Sequence, residues 1–521
     1  MAFLALRLLF WLVTFPNPDE AYYWLWGQHP DFSYYDHPPF QAWVQGAIAA
    51  VLGPSPLALR LPNLVSSGIL AVVAYRICRY LYGEDGGDRF WLVLLLVASS
   101  PLFFLFLALA WHDHWLITFS VLSSFWFVQF VDGYRATGQG DFRYLGGAAV
   151  GLGLAGLCKY NALFVGLGFL AILLGDRTLR RLFREPRFYL ALGILALVLS
   201  PIWLWNLQHD FFSFRFYGDR TRGSGDFSIH PLGAVGYLAL CALILGPIQS
   251  WSLWRWLRGR PRMAPSLARP SVYPALALWI FGLSTAAFTV LATVSTALYY
   301  WNILAYPLLF PLLADQFYQP RSGAAPAAAS PDRRRPPLKH PRPLAIAQGL
   351  GLLAVGGLMV HYTVIPITAF WGQADGDSAA LYGWPAVAAA VTQQAKPLHQ
   401  PLLLTTDYRS AAALAYQLDN PNILALSGRL DQFDFWYDAP SLQGRDGVLL
   451  GESWHPICPA HLALFEQTDP PVTLEVRRFG RVLQTYQIVT GYGFNAGPEG
   501  YPLQPDYPLA FSRDGERCLP E

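Results

Sequence analysis

Long apolar segments are the feature that most constrains how this chain can fold. About eleven lie between residues 2 and 365, each judged against the roughly 20 residues that a helix needs to cross a bilayer. They run over 2–15, 57–81, 90–110, 115–131, 144–157, 161–174, 188–205, 232–254, 273–294, 302–317 and 343–365. Only 13% of the residues are charged, about half the usual share in a soluble protein. The sequence therefore predicts a polytopic α-helical membrane protein with about eleven transmembrane helices.

The distribution of basic residues predicts how these segments are oriented. Arg and Lys concentrate in every second connection, for example at Arg76 and Arg79, at Arg135 and Arg143, and over 321–342. Cytoplasmic loops carry an excess of Lys and Arg, so these connections are expected in the cytoplasm. The other connections, and the chain after the last apolar segment, are then expected outside.

Two parts of the chain differ in composition from the predicted transmembrane domain, residues 1–365. Residues 319–343 are rich in Pro, Ala, Ser and Arg and cannot bury a core, so a disordered cytoplasmic loop is expected there. Residues 366–521 predict a small extracytoplasmic α/β domain. Its predicted strands are 402–406, 423–426 and 448–451, with a helix over 408–418 and a hairpin of 472–477 with 482–489.

Cysteine usage agrees with an outer C-terminal domain. Cys458 and Cys518 are the two cysteines after residue 366, and an oxidising compartment would allow them to form a disulfide. Two free, buried thiols are the alternative.

The first extracytoplasmic loop, residues 16–56, combines acidic and aromatic residues. It contains Asp19, Glu20, Asp36 and His37 among several Tyr and Trp residues, and it lacks Lys and Arg. Tyr and Trp rings favour the membrane interface, so the acids are expected at headgroup depth. This is a suitable place to bind a water-soluble group carried on a lipid.

Asp19 is the leading catalytic candidate of this loop. A carboxylate at the membrane surface can accept the proton of an attacking hydroxyl group or hold a divalent cation. The structural alternative is that Asp19 caps a helix that begins at Glu20. Residues 38–52 are apolar but short, and we expect a helix along the membrane interface there.

Asp113 lies between His112 and His114 in another outer connection. The acid would lie on the same face of the membrane as the first loop. Metal binding by these three residues is an alternative, but successive side chains rarely point at one ion.

Lys159 is the only cation in a short outer turn between two Gly-rich apolar segments. A phosphate contact is one interpretation. A lysine at a helix end that extends its amine into the headgroup region is the other.

Residues 206–231 form the longest outer connection after the first loop. Gly-Ser-Gly at 223–225 favours a mobile lid. Its basic residues are Arg215, Arg220 and Arg222, and they depart from the usual charge distribution, which favours an anionic ligand; acidic lipid headgroups are the alternative. Its remaining candidates are His209 and Asp210, which could equally be a helix end and a cap.

The motifs Asp19-Glu20-Ala21-Tyr22-Tyr23-Trp24 and Tyr34-Tyr35-Asp36-His37-Pro38-Pro39 resemble the first outer loop of GT-C glycosyltransferases. The resemblance is to bacterial relatives of protein O-mannosyltransferases and of lipid A aminoarabinose transferases. It extends to Leu59-Arg60-Leu61-Pro62, Lys159-Tyr160, Trp205 to Asp210, Tyr408-Arg409 and Asp434-Phe435-Trp436. The chain departs from the family where relatives commonly carry a Pro-Asp-Ala-Pro type element, because it reads Trp111-His112-Asp113-His114-Trp115.

The resemblance implies a GT-C enzyme that moves a sugar from a polyprenyl phosphate to a hydroxyl acceptor, which would be a lipid, a glycan or a protein. The site is expected to face the periplasm or cell exterior in a bacterial inner membrane, and the transfer to be inverting. Asp19 matches the family's essential loop acid and is the expected base. The other expected site residues are Glu20 and Asp113 for catalysis, Lys159, Arg220 and Arg222 for the donor phosphate, and Tyr35, Asp36, His37, His209 and Asp210 for substrate binding.

No cofactor or metal ligand is assigned from the sequence, although a divalent ion stays open, and a nucleic acid partner has no support. A transporter or flippase for a lipid-linked sugar is the main alternative. It would place ionisable residues near the bilayer midplane and repeat its halves. A membrane receptor is another, and it predicts that an Asp19→Asn variant behaves like the original protein.

Overall fold

The structure is a computed structural model that describes residues 1–222, 229–259, 267–319, 338–372, 374–427, 430–437 and 439–495. The helices are α1 (Ala2–Val13), α2 (Pro18–Gln28), α3 (Phe40–Leu52), α4 (Pro56–Tyr82), α5 (Gly86–Ala98), α6 (Pro101–Phe106), α7 (Asp113–Thr137), α8 (Phe142–Cys158), α9 (Leu163–Gly175), α10 (Pro186–Gln208), α11 (Phe212–Arg222), α12 (Pro231–Leu245), α13 (Pro247–Gly259), α14 (Tyr273–Val294), α15 (Phe310–Ala314), α16 (Pro341–Met359), α17 (Gly376–Ala379), α18 (Trp384–Ala395), α19 (Tyr408–Leu418), α20 (Ala439–Leu442) and α21 (Pro459–Leu462). The strands are β1 (Leu402–Thr405), β2 (Leu424–Ala425), β3 (Gly447–Glu452), β4 (Phe465–Thr468), β5 (Val472–Arg478) and β6 (Arg481–Phe494).

The helical part is that of a polytopic membrane protein. Among the described residues, five helical stretches are long and apolar enough to cross a bilayer. They are Pro56–Ala98, Asp113–Thr137, Pro186–Gln208, Tyr273–Val294 and Pro341–Val364. A sixth is obtained if α12 and α13, which meet at 112°, form one broken span. The fold class is confirmed, whereas the number of about eleven spans stays a prediction.

Two further predicted spans are not regular helices: 90–110 is divided between α5 and α6, and 302–317 is irregular. Residues 302–317 form 3₁₀ turns around the five-residue helix α15. Pro307 and Pro311 lie inside this segment, and proline cannot donate the hydrogen bond that continues an α-helix. The segment is apolar because it is buried within the protein.

The hairpin of α7 and α8 brings two of the predicted site residues to the same end of the bundle. Gly151 allows close packing, since a Cβ there would lie 3.0 Å from the Cβ of Ser123. Ser123 Oγ also donates a hydrogen bond to the carbonyl of Ala148, at 2.6 Å. Because the helices are antiparallel, the start of α7 at Asp113 lies beside the end of α8, where Lys159 follows.

The first outer loop folds into two helices instead of remaining open. Asn17 caps α2, because its Oδ1 accepts a hydrogen bond from the Asp19 amide at 3.0 Å. The alternative that Asp19 is the cap is therefore wrong. The interfacial segment 38–52 is helical as predicted, and α2 packs on it closely where a Cβ on Gly27 would overlap the backbone of Gly46.

The aromatic rings of this loop are buried by protein, which differs from the interfacial position that the sequence favoured. The hydroxyl of Tyr22 accepts a hydrogen bond from the Gln432 amide at 2.9 Å, and the Tyr22 ring stacks on Phe433 at 5.8 Å. The Tyr35 amide donates to Gln432 Oε1 at 2.7 Å. The C-terminal part thus covers the loop and holds it in one conformation.

The C-terminal part contains a sheet in the order β2-β1-β3-β6-β4, with β5 paired to β6. Strand β1 is parallel to β2 and β3, and the remaining pairs are antiparallel. The predicted strands, the helix over 408–418 and the hairpin are confirmed, and β4 was missed. Cys458 is disulfide-bonded, while Cys518 lies outside the described residues.

Two predicted mobile segments are only partly described. Of the expected cytoplasmic loop, residues 320–337 lie outside the described chain, and α16 already begins at Pro341. Of the expected lid, residues 212–222 form α11, and 223–228 with Gly-Ser-Gly lie outside the described residues. Both predictions of mobility stay untested.

Candidate active site

A cavity of about 480 Å³ lies where the membrane helices meet the C-terminal part. Its lining combines acids, cations and aromatic rings. The ionisable residues on its wall are Asp19, Asp36, His37, Arg60, His112, Asp113, Lys159, Asp377 and Arg409, and the aromatic ones include Tyr22, Tyr23, Trp111, Tyr299, Tyr300, Trp301 and Tyr408. Predicted site residues that are far apart in sequence therefore share one cavity.

Lys159 and Asp113 form a buried ion pair in the cavity wall. The Nζ atom of Lys159 lies 3.0 Å from Oδ1 and 3.2 Å from Oδ2 of Asp113, and the two residues are 6% and 1% exposed. The amine also lies over the ring of Tyr300, 5.2 Å from its centroid. A lysine this buried is not extending into the headgroup region, so that interpretation is wrong. The pair places a cation on the wall and holds it with a carboxylate.

Asp19 and Glu20 are neighbours that face different surroundings. Asp19 is half-buried in the first turn of α2 and lines the cavity, where the helix N-terminus favours a carboxylate. Glu20 is 0% exposed and pairs with Arg60, whose Nε and Nη2 lie 2.9 and 2.6 Å from its two oxygens. Glu20 also accepts from the amides of Asn17 and Ala110, at 2.8 and 2.7 Å.

The expected catalytic role of Glu20 is therefore corrected to a positioning role. Its carboxylate does not line the cavity, and its four hydrogen bonds connect α2 with α4 and with the segment that precedes α7. Arg60 is itself buried and donates further bonds from Nη1, including one of 2.7 Å to Thr14 Oγ1. This arrangement fixes the two backbone segments that carry Asp19 and Asp113.

Of the second loop motif, Asp36 and His37 line the cavity, but Tyr35 does not. The Tyr217 hydroxyl donates to the carbonyl of Asp36 at 2.6 Å and lies 2.9 Å from His37 Nδ1. The Tyr35 ring packs between Phe216 and Phe435, at 5.0 and 5.6 Å. Its expected substrate contact is corrected to a packing contact.

His209 and Asp210 do not line the cavity either. The His209 ring stacks on Trp205 at 4.2 Å, and its Nδ1 lies 2.9 Å from the Trp205 carbonyl. Asp210 is exposed and has a positive φ of 47°. These residues end α10 and turn the chain, which is the plainer of the two interpretations that the sequence allowed.

The arginines of the same connection contribute no described cavity contact. Arg215 is exposed and lies beside the Phe212 ring. Arg220 and Arg222 belong to α11, but their side chains lie outside the described residues. Their expected phosphate contacts stay predictions.

Sequence reasoning assigned no role to a group that comes from the C-terminal part. Arg409 donates to Asp377, and both line the cavity beside Tyr408. The Tyr408-Arg409 motif was part of the family resemblance, which was the available signal. Asp377 was missed because acids in a soluble-like segment carry no signal of their own.

His455 stabilises the first turn of α19, the turn that carries Arg409. Its Nδ1 lies 2.7 Å from Glu452 Oε1, and its Nε2 lies 3.6 Å from Oδ2 of Asp407, which caps the helix. Burial lowers the pKa of His455, but the hydrogen bond to Glu452 and the charge of Asp407 outweigh it and raise the pKa above the ordinary 6.5.

The side chains around Asp113 diverge. His114 Nδ1 lies 2.8 Å from Ser66 Oγ, Asp113 holds Lys159, and His112 faces the cavity. Within the part of the chain that the structure describes, no group of three or more His, Cys, Asp or Glu residues could hold a metal ion. The metal interpretation of this motif therefore has no geometric support.

Comparisons with known proteins agree with this architecture. Residues 36–205 match the family model of dolichyl-phosphate-mannose-protein mannosyltransferase. Lipid A galacturonosyltransferase RgtD of Rhizobium johnstonii is 28% identical over 296 residues, which are 55% of this chain and 58% of that protein. The matched part thus spans little more than half the length of this curated relative.

The fold is that of a solved membrane protein. The crystal structure of ArnT from Cupriavidus metallidurans bound to undecaprenyl phosphate matches with a TM-score of 0.60 at 16% identity, over 94% of this chain and 97% of ArnT. The apo structure of ArnT gives 0.57 at 15% identity, with the same coverage. The resemblance to GT-C glycosyltransferases that the loop motifs carried is confirmed.

Proposed function

We propose that this membrane protein is a glycosyltransferase that moves a sugar from a polyprenyl phosphate to a hydroxyl group of a lipid, on the extracytoplasmic face of a bacterial inner membrane. The observation that carries the proposal is that Asp19, Asp113 and Lys159 line one cavity. The names of the similar proteins support its two substrates, since RgtD acts on lipid A and ArnT binds undecaprenyl phosphate. A glycan or protein acceptor rests on the family resemblance alone.

Lys159 is the residue proposed to bind the donor phosphate. Its amine is the cation of the buried pair, and Asp113 accepts from it at 3.0 Å, which fixes its position before substrate arrives. The cation stabilises charge that grows on the leaving phosphate as the bond to the sugar breaks. The neighbouring rings of Trp111 and Tyr300 offer an apolar surface to a sugar or to the first prenyl units.

Asp19 is the proposed general base. The acceptor oxygen attacks the anomeric carbon, the bond from that carbon to the phosphate oxygen breaks, and the polyprenyl phosphate leaves with the electron pair. The acceptor proton passes to the Asp19 carboxylate. One base and one phosphate-binding cation suffice for such an inverting transfer, because phosphate is already a good leaving group.

The proposed sidedness follows from the lengths of the helices. A helix of 25 residues such as α7 is about 37 Å long, which exceeds the hydrocarbon thickness of about 30 Å. Asp113 lies at its first residue and Arg135 in its last turn. The basic connections that predict the cytoplasmic side are therefore at the end of the bundle opposite to the cavity. Ionisable groups at helix ends also argue against a transporter, which would place them midway along the spans.

Transfer of radiolabelled sugar from a polyprenyl phosphate to membrane lipid tests the proposal. Asp19→Asn keeps the side-chain volume and removes the base, so transfer should fall by about 10²–10⁴-fold, while binding of undecaprenyl phosphate persists. Asp141→Asn is the control, because Asp141 pairs with Arg143 on the exposed surface at the other end of the bundle. Unchanged transfer by the Asp19 variant would remove it from the base role, and no transfer by the wild-type protein would refute the function.

A further inference from the structure

His112 is a buried imidazole for which the described part of the chain supplies no hydrogen-bond partner. Its side chain lines the cavity, the residue is 2% exposed, and neither Nδ1 nor Nε2 has a partner among the described residues. His461 is a buried imidazole of the same protein with both nitrogens paired, since its Nδ1 accepts from the Cys458 amide at 3.0 Å and its Nε2 lies 3.1 Å from the Leu426 carbonyl. Buried polar groups are nearly always paired, so an orphaned one needs an explanation.

The ring of His112 is held in a fixed orientation by other rings. Tyr23 contacts it edge to face with centroids 4.2 Å apart, and His37 lies at 4.6 Å. The next residue is Asp113, which holds Lys159. The unpartnered nitrogens therefore belong to the same wall as His37 and the proposed phosphate-binding lysine.

The chemistry of an imidazole limits what can satisfy it. A neutral ring offers one N–H donor and one acceptor nitrogen, and a protonated ring offers two donors. An oxyanion beside Lys159 would accept the N–H directly. The substrate proposed for this cavity supplies such a group, either as the phosphate of the donor or as a carboxylate on an acidic sugar.

We infer that His112 is a substrate-binding residue whose ring N–H donates to an oxyanion of the sugar donor. This inference rests on the proposed function for the identity of the donor, but not for the existence of the site. The two imidazoles around Asp113 then have separate roles: His112 binds the ligand, and His114 bonds to Ser66 within the helix bundle.

Binding of undecaprenyl phosphate to the purified full-length protein is the first test. His112→Phe keeps an aromatic ring against Tyr23 and His37 and removes both nitrogens. It should weaken binding of undecaprenyl phosphate at least tenfold if the ring N–H donates to the phosphate. His112→Gln retains a donor and should recover part of the affinity. The matched control is His114→Gln, which changes an equally buried imidazole that does not line the cavity and should leave the affinity unchanged.

A second arm identifies the oxyanion. The same variants are compared with undecaprenyl phosphate, with the lipid carrying a neutral hexose, and with the lipid carrying a uronic acid. Weaker binding of all three assigns the phosphate as the partner, and weaker binding of the uronic acid lipid alone assigns the sugar carboxylate. Equal affinity of His112→Phe and wild type for every lipid would overturn the inference and leave His112 as a packing residue.

The binding readout separates this inference from the proposed function. If the wild-type protein binds the lipids with an affinity that depends on His112 but transfers no sugar, the proposed transferase function is refuted and the inferred His112 site is supported. If wild type and His112→Phe both transfer sugar with the same KM for the donor, the inferred role of His112 is refuted and the proposed transferase function is supported.

Discussion

Replacing Glu20 by glutamine is expected to destabilise the protein strongly, although it removes no group from the cavity. The substitution preserves the shape of the side chain and removes the charge that neutralises Arg60, and both residues are 0% exposed. Glutamine can still accept one hydrogen bond from Arg60, but its amide group would face the second N–H of the guanidinium. Removing one partner of a buried ion pair typically costs about 3–5 kcal/mol, and we expect a loss of this size in the free energy of unfolding.

Equilibrium unfolding of the purified protein in mixed micelles, followed by tryptophan fluorescence, measures this loss. A double-mutant cycle with Glu20→Leu and Arg60→Leu tests the cause. If the cost comes from an uncompensated buried charge, the double variant should be less destabilised than the two single variants together, by about 0.5–3 kcal/mol. Asp141→Asn, which alters an ion pair at the protein surface and keeps a side-chain oxygen at the start of α8, should leave stability unchanged.

The same variant separates positioning from catalysis at neighbouring residues. Glu20→Gln should lower transfer mainly in proportion to the folded protein that remains, whereas Asp19→Asn should lower transfer by about 10²–10⁴-fold in protein that is fully folded. A Glu20→Gln protein that unfolds like the wild type but no longer transfers sugar would refute our assignment of Glu20.

Three further predictions follow from the geometry. Lys159→Met should abolish binding of undecaprenyl phosphate, and it should lower stability because Asp113 is left buried and unpaired. Adding Asp113→Asn should restore the unfolding temperature but not the binding of undecaprenyl phosphate. Restored binding in this double variant would contradict our phosphate assignment. Because the pKa of His455 is raised in the folded protein, protonated His455 stabilises the fold fully below about pH 6.5, and this stabilisation is lost as the pH rises through the folded pKa. The free energy of unfolding, measured as a function of pH, should fall over this range. The fall should be absent in His455→Asn. Gly27→Ala should destabilise the protein because the new methyl group meets the backbone of Gly46, and an unchanged unfolding temperature would contradict this packing.

Much of the architecture could be predicted because its signals are local. Apolar segments such as 57–81 and 188–205 became helices because hydrophobicity over about 20 residues is itself the driving term in a bilayer. The strands and helix after residue 402 were found because alternation of apolar residues and helix periodicity are short-range patterns. The prediction of a membrane-spanning helix over 302–317 was wrong because the segment is apolar through its burial within the protein, and its prolines prevent a regular helix.

The sequence predicted those site residues whose position follows from the orientation of the apolar segments in the membrane. Asp19, Asp113 and Lys159 were brought together by the charge distribution of the loops, and the structure places them on one cavity. Glu20 was misassigned because consecutive residues in a helix point about 100° apart, so the neighbour of a cavity residue faces the protein. Its partner Arg60 lies 40 positions away, and no local pattern connects the two.

The position of the donor phosphate in the bound protein tests the central claim most directly. A cryo-electron microscopy map of the protein with undecaprenyl phosphate should show phosphate density in the cavity, within hydrogen-bonding distance of Lys159 Nζ and on the side where Asp19 lies. Phosphate density at the opposite end of the helices, near the basic connection that contains Arg135, would contradict the claim that this cavity is the site of sugar transfer.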